Sequence, residues 1–303
     1  MPAFTEHAYR GTPDQLGMTA LVRVHPEYHL HVVDLPYRLS SWAFDHPGNV
    51  RLWRDSNGRL AGWAVLATPF WTLDIACRPD SIAQLYPTIL SWAAGAVRRV
   101  LATPFGHPVW FVNAISHQSV QIAALEAVGW ACQSDVGEDS WSQVLLSRQA
   151  SDPLPHSPLP PGYTLRPLAG ESEVETYVDL HQAVFETKNM TVAWRQRTLV
   201  QPEYRPELDL IAVAPSGELA AFCIGWLSPD GRTGQIEPIG VSPHHRRFGL
   251  GRALLSVCLE RMHTLGAGTV YVLTDNFRGP ALELYVALGF RLKEDVYVYR
   301  WAV

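Results

Sequence analysis

The sequence is short of cysteine, and its cysteines are scattered. Cys77, Cys132, Cys223 and Cys258 are the four in 303 residues. No two of them stand at the C-x-x-C spacing of a zinc site or a redox pair, so no metal is expected. A chain this long with so few cysteines is not a disulfide scaffold, and reduced thiols in the cytoplasm are the expectation. No uninterrupted apolar run approaches the ~20 residues that a membrane span needs, so no membrane partner is expected. The start, Met1-Pro2-Ala3-Phe4-Thr5-Glu6-His7, lacks the basic and then apolar stretches of a secretory leader. Basic residues are not in excess either. The net charge is −5, which argues against nucleic acid as a partner while leaving room for a local basic pocket.

Apolar residues, by contrast, are plentiful: 47% of the chain is hydrophobic, enough for real cores and against global disorder. At domain sizes of ~100–200 residues, this length implies two domains. Proline marks a boundary between them. Ser151-Asp152-Pro153-Leu154-Pro155-His156-Ser157-Pro158-Leu159-Pro160-Pro161-Gly162 holds five prolines, which sustain neither helix nor inner strand. The expected layout is therefore a first domain over 1–150, a linker over 151–161 and a second domain over 162–303.

The two halves echo each other. Asn57-Gly58-Arg59-Leu60-Ala61-Gly62-Trp63 and Ser216-Gly217-Glu218-Leu219-Ala220-Ala221-Phe222 both read as a turn entering a strand. Ala127-Val128-Gly129-Trp130 and Ala287-Leu288-Gly289-Phe290 both read as a helix end. The nearly equal offset at the two places points to a duplicated domain rather than a short-period array.

In the second half, Tyr163–Leu168 reads as a first strand and Glu171–Glu186 as an amphipathic helix. Thr191 is placed to cap a further helix ending near Leu199. A hairpin follows across Pro215-Ser216-Gly217, then a strand over Gln235–Val241, a helix over about Leu250–Thr264 and a strand over Thr269–Thr274. A last helix has Pro280 near its start and Gly289 just past its end. Phe290–Leu292 and Val296–Tyr299 close the sheet. A meander of strands followed by a strand–helix–strand crossover makes a mixed, mostly antiparallel α/β sheet flanked by helices.

Between the fourth strand and the long helix lies His245-Arg246-Arg247-Phe248-Gly249-Leu250-Gly251-Arg252. The first amides of a helix have no internal partners, and the helix dipole makes that end partly positive. Arginines there oppose the dipole, so three of them ask for an anion. Two glycines leave room for its approach, and a pyrophosphate suits the whole. A Walker loop would need Lys and Ser/Thr after the last glycine, and a dinucleotide fold a third glycine where Leu254 stands; neither is present. His244 and His245 read equally as phosphate ligands or as solvated side chains.

The run Gln235-Ile236-Glu237-Pro238-Ile239-Gly240-Val241-Ser242-Pro243, followed by Arg246-x-x-Gly249-x-Gly251-Arg252, resembles the coenzyme-binding motif of the GNAT superfamily of N-acetyltransferases. Asn276, then Ala281-Leu282-Glu283-Leu284-Tyr285-x-x-Leu288-Gly289-Phe290, is similar to the next motif of that superfamily. The resemblance spans about 162–300 and, with the repeat, implies two tandem GNAT-like domains. It implies acetyl-CoA as co-substrate, held by the backbone of Ile239, Gly240 and Val241, with the Val241 amide as oxyanion donor. The loop Arg246, Arg247, Phe248, Gly249, Leu250, Gly251 and Arg252 would take the pyrophosphate. Tyr285 stands where the family often places its general acid; the alternative is a helix core residue. Asn276 departs from the pattern: it lies nine residues before Tyr285 where seven is common, so its contact with the coenzyme stays open.

Strict strand alternation puts Glu237 on one face with Ile239 and Val241, which makes it a candidate general base, with a surface glutamate as the other reading and a bulge at Pro238 as the way the alternation would break. In the first half, Thr72–Pro79 matches the strand before the loop, but Asp80-Ser81-Ile82-Ala83-Gln84-Leu85-Tyr86 follows, with no glycine, no arginine and an aspartate where an anion would sit. Leu125 replaces Tyr285. That copy is expected to be structural, and its tryptophans, Trp42, Trp53, Trp63, Trp71 and Trp92, to be core.

The expected function is acetyl transfer to an unidentified primary amine, catalysed by the second domain. A non-catalytic acyl-CoA-binding sensor is the alternative. The duplication makes a monomer with an internal pseudo-dimer, or a weak homodimer, the expected state.

Overall fold

The computed structural model describes residues 4–134, 141–155, 157–277 and 279–303. His156 of the proline-rich segment and Arg278 ahead of the last helix lie outside the described residues. In chain order, the first half contains β1 (Phe4–Ala8), α1 (Thr12–Val24), α2 (Leu35–Leu39), β2 (Val50–Asp55), β3 (Leu60–Ala67), β4 (Thr72–Cys77), α3 (Ile82–Val100), β5 (Val109–Ile115), α4 (Ser119–Ala127), β6 (Ala131–Cys132) and β7 (Ser142–Gln149). The second contains β8 (Thr164–Pro167), α5 (Val174–Phe185), α6 (Val192–Leu199), β9 (Asp209–Val213), β10 (Leu219–Leu227), β11 (Thr233–Val241), α7 (Leu250–Thr264), β12 (Thr269–Asp275), α8 (Gly279–Ala287) and β13 (Arg291–Ala302).

The chain forms two compact units, and they are not its two contiguous halves. One holds Met1–Leu35, Ser41–Gln143 and Glu294–Val303; the other holds Pro36–Ser40 and Val144–Lys293. In the first unit β1 to β4 form an antiparallel meander, β5 joins β4 in parallel, and β13 runs antiparallel to β5. The second unit repeats the plan: β8 to β11 are an antiparallel meander, β12 joins β11 in parallel, and β7 lies beside β12. The internal repeat is thus visible in the topology. It also shows in the turns, where Gly58 and Gly217 before the second hairpin strands, and Gly129 and Gly289 after the last helices, all take left-handed φ of +76° to +89°.

Two expectations shift. The closing strands Phe290–Leu292 and Val296–Tyr299 are one continuous strand, β13, and from Glu294 on it completes the first unit, while β7 completes the second. Each unit is therefore finished by a strand from the other half of the chain. The boundary read at 151–161 is displaced for a related reason. That segment forms no helix or strand among its described residues, but Leu154 and Leu159 pack on the second unit's core.

Local chemistry explains the elements. Every residue of β10 is buried, as befits a central strand reading Leu-Ala-Ala-Phe-Cys-Ile-Gly-Trp-Leu. Helix α3 buries Leu85, Ile89, Ala93, Ala96 and Val100 along one stripe. The Thr191 side chain accepts from Trp194 N at 3.1 Å and starts α6 as its cap. Two of the tryptophans expected in the core are not buried: Trp42 is half-buried, and Trp71 is 40% exposed at the β3–β4 turn, stacked on His107 at 4.0 Å.

Candidate active site

Strand β11 is paired to β10 along most of its length but to β12 only over Thr233–Gln235. Beyond Gln235 the parallel pair parts and leaves one edge of β11 open. The Ser242 amide donates to Ala220 O at 2.9 Å, so, by the alternation of antiparallel pairing, Gly240 also bonds across to Phe222 while Ile239 and Val241 turn their N–H and C=O the other way, into the gap. The backbone groups expected to meet the pantetheine arm therefore divide. Those of Ile239 and Val241 face the opening; those of Gly240 are committed to β10. Gly240 contributes by lacking a side chain, since a Cβ there would stand 2.5 Å from Val184 and 2.7 Å from Phe222.

The face shared by Glu237, Ile239 and Val241 does not exist. The pairing slips by one residue between Cys223 and Gly225, a bulge that falls at Glu237-Pro238. Ile236 and Ile239 consequently both reach the core under α7, and Glu237 goes to the opposite face with Phe222 and Trp226. There the indole of Trp226, itself fully buried, donates to the Glu237 carbonyl at 2.7 Å. Pro238 is the reason: it has no N–H to donate and breaks the ladder at that point.

After β11 a short 3-10 turn, Pro243–His245, leads to Arg246 and then to two left-handed residues, Arg247 at φ +66° and Gly249 at φ +84°. Gly249 is the N-cap of α7, and no side chain caps the helix. A Cβ on Gly249 would touch nothing, so glycine is there for its backbone angle and not for space. The first-turn amides of α7 are left facing outward. Arg246 reaches back to the Val241 and Val184 carbonyls at 3.4 Å, Arg247 is exposed, and the Nε of Arg252 is buried without a protein partner. Phe248 is exposed and packs beside Tyr163. Leu250 is buried. His245 is not a free phosphate ligand: its ring bridges Tyr163 Oη at 2.8 Å and Glu218 Oε1 at 2.5 Å. His244 is exposed.

Tyr285 lies on α8 and is 5% exposed, edge-on to Phe290 in the cluster that includes Leu250, Leu254 and Leu288. Asn276 sits in the exposed turn after β12. A Cβ on Gly251 would lie 3.4 Å from Val241 and 3.5 Å from Leu284, so the start of α7 runs close to the end of β11 and to α8.

Residues 173–290 match the model of the acetyltransferase (GNAT) family. A mycothiol acetyltransferase from Salinispora arenicola is 31% identical over 253 residues, covering 78% of this chain and 76% of that one. The chain belongs to the GNAT acetyltransferase family. A mycothiol acetyltransferase from Kineococcus radiotolerans is 37% identical over 145 residues, 45% of each chain, and this chain spans about half the length of several such relatives. Among solved structures, a GCN5-related N-acetyltransferase from Sphaerobacter thermophilus superposes with a TM-score of 0.67 at 17% identity over 100% of this chain and 96% of that one. A tandem GNAT protein from the clavulanic acid biosynthesis pathway gives 0.65 at 16% identity, covering 99% and 98%. The fold is that of a tandem GNAT.

Within the second GNAT unit the structure brings residues to Glu237 that sequence reading did not single out. Tyr37, far away in sequence, belongs to this unit through the segment Pro36–Ser40. Its carbonyl accepts from the Trp194 indole at 3.0 Å, and its ring lies 5.1 Å from Trp194 and 6.4 Å from Trp226. Its hydroxyl is 3.4 Å from His181 Nε2. Burial raises the Tyr37 and Tyr177 hydroxyls well above their ordinary range, with the Glu237 charge adding to the effect, so both stay protonated. Burial, helped by Arg195, pushes His181 down to about 3 and keeps it neutral. Behind them Arg195 pairs with Asp209, both fully buried, and Tyr204 donates to the same carboxylate at 2.6 Å. His181 and Tyr177 were legible only as a helical stripe; nothing in the spacing of Tyr37 announced that it joins them.

At the matching place in the first unit, the described residues 79–86 contain neither glycine nor arginine. Asp80 sits in the 3-10 turn Pro79–Ser81 that precedes α3, bound by Ser81 and Arg78, and Leu125 is fully buried.

Proposed function

We propose that this GNAT protein moves the acetyl group of acetyl-CoA to a primary amine, and that its second unit does so. The observation that carries this reading is the end of α7: an uncapped helix start, a left-handed Gly249 and three guanidiniums, one with a buried unpartnered Nε, at the mouth of an open strand edge. A cationic helix start opposes the dipole and is stabilised by a bound anion. Arg246, Arg247 and Arg252 with the first amides of α7 would hold the pyrophosphate. The open groups of Ile239 and Val241 would hold the amides of the pantetheine arm as an added strand.

In the reaction the amine nitrogen attacks the thioester carbon, forming the C–N bond and an oxyanion that the Val241 N–H stabilises. Collapse breaks the C–S bond, the sulfur leaves with the electron pair, and Tyr285 supplies the proton it takes. Glu237 accepts the proton lost by the amine nitrogen. The bulge turns Glu237 to the face of Tyr37 and Tyr177, both held protonated by burial, with Arg195 and Arg38 also acting on Tyr37.

A second reading, coenzyme binding without transfer, is favoured by one fact: Tyr285 is 5% exposed and set in the core cluster. Release of free thiol from acetyl-CoA over a panel of primary amines separates the two. Transfer requires that some amine raise release and that Tyr285→Phe lower it; tight coenzyme binding with no amine-dependent release is the sensor's result.

A further inference from the structure

The loop ahead of α7 needs outside support. Arg247 carries a left-handed φ of +66° without being glycine, and Gly249 follows at +84°. Such a backbone persists only where its surroundings impose it. No side chain caps α7 to help. The residues that bracket Arg246-Arg247 are His245 and Phe248, and both rest on Tyr163. The Tyr163 hydroxyl is 2.8 Å from His245 Nδ1, and the two rings meet edge-on at 5.7 Å. The Phe248 ring lies 6.3 Å from the Tyr163 ring.

Tyr163 is itself fixed. Its N–H donates to Pro160 O at 3.2 Å, and its ring packs against the core that includes Leu250 and Leu254. The far side of the His245 ring is fixed too. Its Nε2 is 2.5 Å from Oε1 of Glu218, and the bond from Ala214 N to Glu218 O, 2.9 Å, closes the β9–β10 turn on which Glu218 sits. A carboxylate only accepts, so Nε2 carries the proton, and Nδ1 of the neutral ring accepts from the Tyr163 hydroxyl. One chain of hydrogen bonds thus runs from the start of β8, through the loop, to the β9–β10 turn.

The repeat supplies an independent observation. Thr5 pairs with Arg54 as Thr164 pairs with Val213, and Gly58 and Gly217 are the matching turn glycines. By that register Phe4 stands for Tyr163 and Arg59 for Glu218. The unit whose residues 79–86 hold neither glycine nor arginine therefore also lacks the hydroxyl and the carboxylate. Loop and support are present together in one unit and absent together in the other.

We infer that Tyr163 is a positioning residue for coenzyme binding: through His245 and Phe248 it holds the loop in the shape that receives the pyrophosphate, with Glu218 bracing His245 from the other side. The inference rests on the proposed reading of this loop as the pyrophosphate site. Tyr163 need not touch the coenzyme. A loop already held in its binding shape spares the ligand the cost of ordering it.

The test titrates the full chain calorimetrically with acetyl-CoA and with S-acetylpantetheine, which ends before the pyrophosphate. Tyr163→Ala should raise the Kd for acetyl-CoA about tenfold or more, the scale of ordering a short loop, and Tyr163→Phe, which keeps the ring, should raise it less. Glu218→Ala should raise it about threefold, as suits an exposed pair, whereas Glu218→Gln, which still accepts from Nε2, should bind like the wild type. S-acetylpantetheine should bind all the variants as it binds the wild type. Wild-type affinity for acetyl-CoA in Tyr163→Ala would overturn the inference, and so would equal weakening of both ligands, the mark of a residue that only supports the fold. If Tyr163→Ala does not fold, Glu218→Ala against Glu218→Gln, at an exposed turn, decides in the same way. A wild-type chain that binds the two ligands equally would overturn the pyrophosphate reading and this inference with it. A wild type that prefers acetyl-CoA, with variants that keep the full preference, would overturn the inference alone.

Discussion

The Trp226 indole donates to the carbonyl of Glu237 at 2.7 Å, and this bond fixes the bulge that turns the Glu237 carboxylate toward Tyr37 and Tyr177. A side chain on one strand thereby sets the direction of a side chain on the next. Without the bulge Glu237 would point under α7, into the apolar core.

Trp226→Phe should therefore act twice. It leaves a buried carbonyl without its donor, at a cost of about 1–3 kcal/mol, to be read in a denaturant titration. It also frees Glu237, so kcat should fall about tenfold or more while the Kd for acetyl-CoA, measured by calorimetry, stays within about twofold. Equal losses in both would mean that Trp226 only supports the fold.

The acid and base are tested by near-isosteric changes. Glu237→Gln and Tyr285→Phe should each lower kcat by about 10²–10³-fold at neutral pH, the usual scale of one proton-transfer group. Coenzyme affinity should hold in both. Full activity in Tyr285→Phe would return that residue to a purely structural place beside Phe290.

Much of this was legible in the sequence, for identifiable reasons. Helix α7 ran from Leu250 to Thr264 as read, because its apolar stripe and the glycines ahead of it speak locally. Thr191 capped α6 for the same reason. Glu237 was misplaced by one face, because period-two alternation is blind to a bulge, although Pro238 was its visible signal. The strand exchange had no local signal at all. β13 looks equally at home in either unit by pattern, and only long-range pairing with β5 decides. The docking of Pro36–Ser40 in the second unit was unreadable for the same cause: Ser40 O accepts from Arg197, which lies 157 positions later.

Acid should destabilise the fold through its buried imidazoles. His181 stays neutral in the folded state down to about pH 3, whereas the unfolded chain protonates it near 6.5. Stability from this source is complete above about pH 6.5 and is lost as pH falls toward 3, by roughly 3 kcal/mol at pH 4 at most. His29, held neutral to about 4, adds in the same direction. Melting temperatures of His181→Phe and the wild type, each referred to its own pH 7 value, should show the shallower acid decline in the variant.

The Arg195–Asp209 pair is fully buried, with Tyr204 on the carboxylate and the Tyr177 ring 3.9 Å from the guanidinium. Asp209→Ala strands a buried cation and should cost about 3–5 kcal/mol. Asp209→Ala combined with Arg195→Met removes both charges and should recover most of that loss in the same unfolding titration.

Calorimetric titration with acetyl-CoA and, in parallel, with S-acetylpantetheine, which lacks the pyrophosphate, tests the α7 site most directly. Wild-type protein should bind acetyl-CoA far more tightly than S-acetylpantetheine, and Arg247→Ala with Gly249→Val should erase most of that difference while leaving S-acetylpantetheine binding in place. If acetyl-CoA gives no heat, or if the loop variant binds it as well as the wild type does, the helix start at Leu250 is not the pyrophosphate site and the transferase reading built on it is wrong.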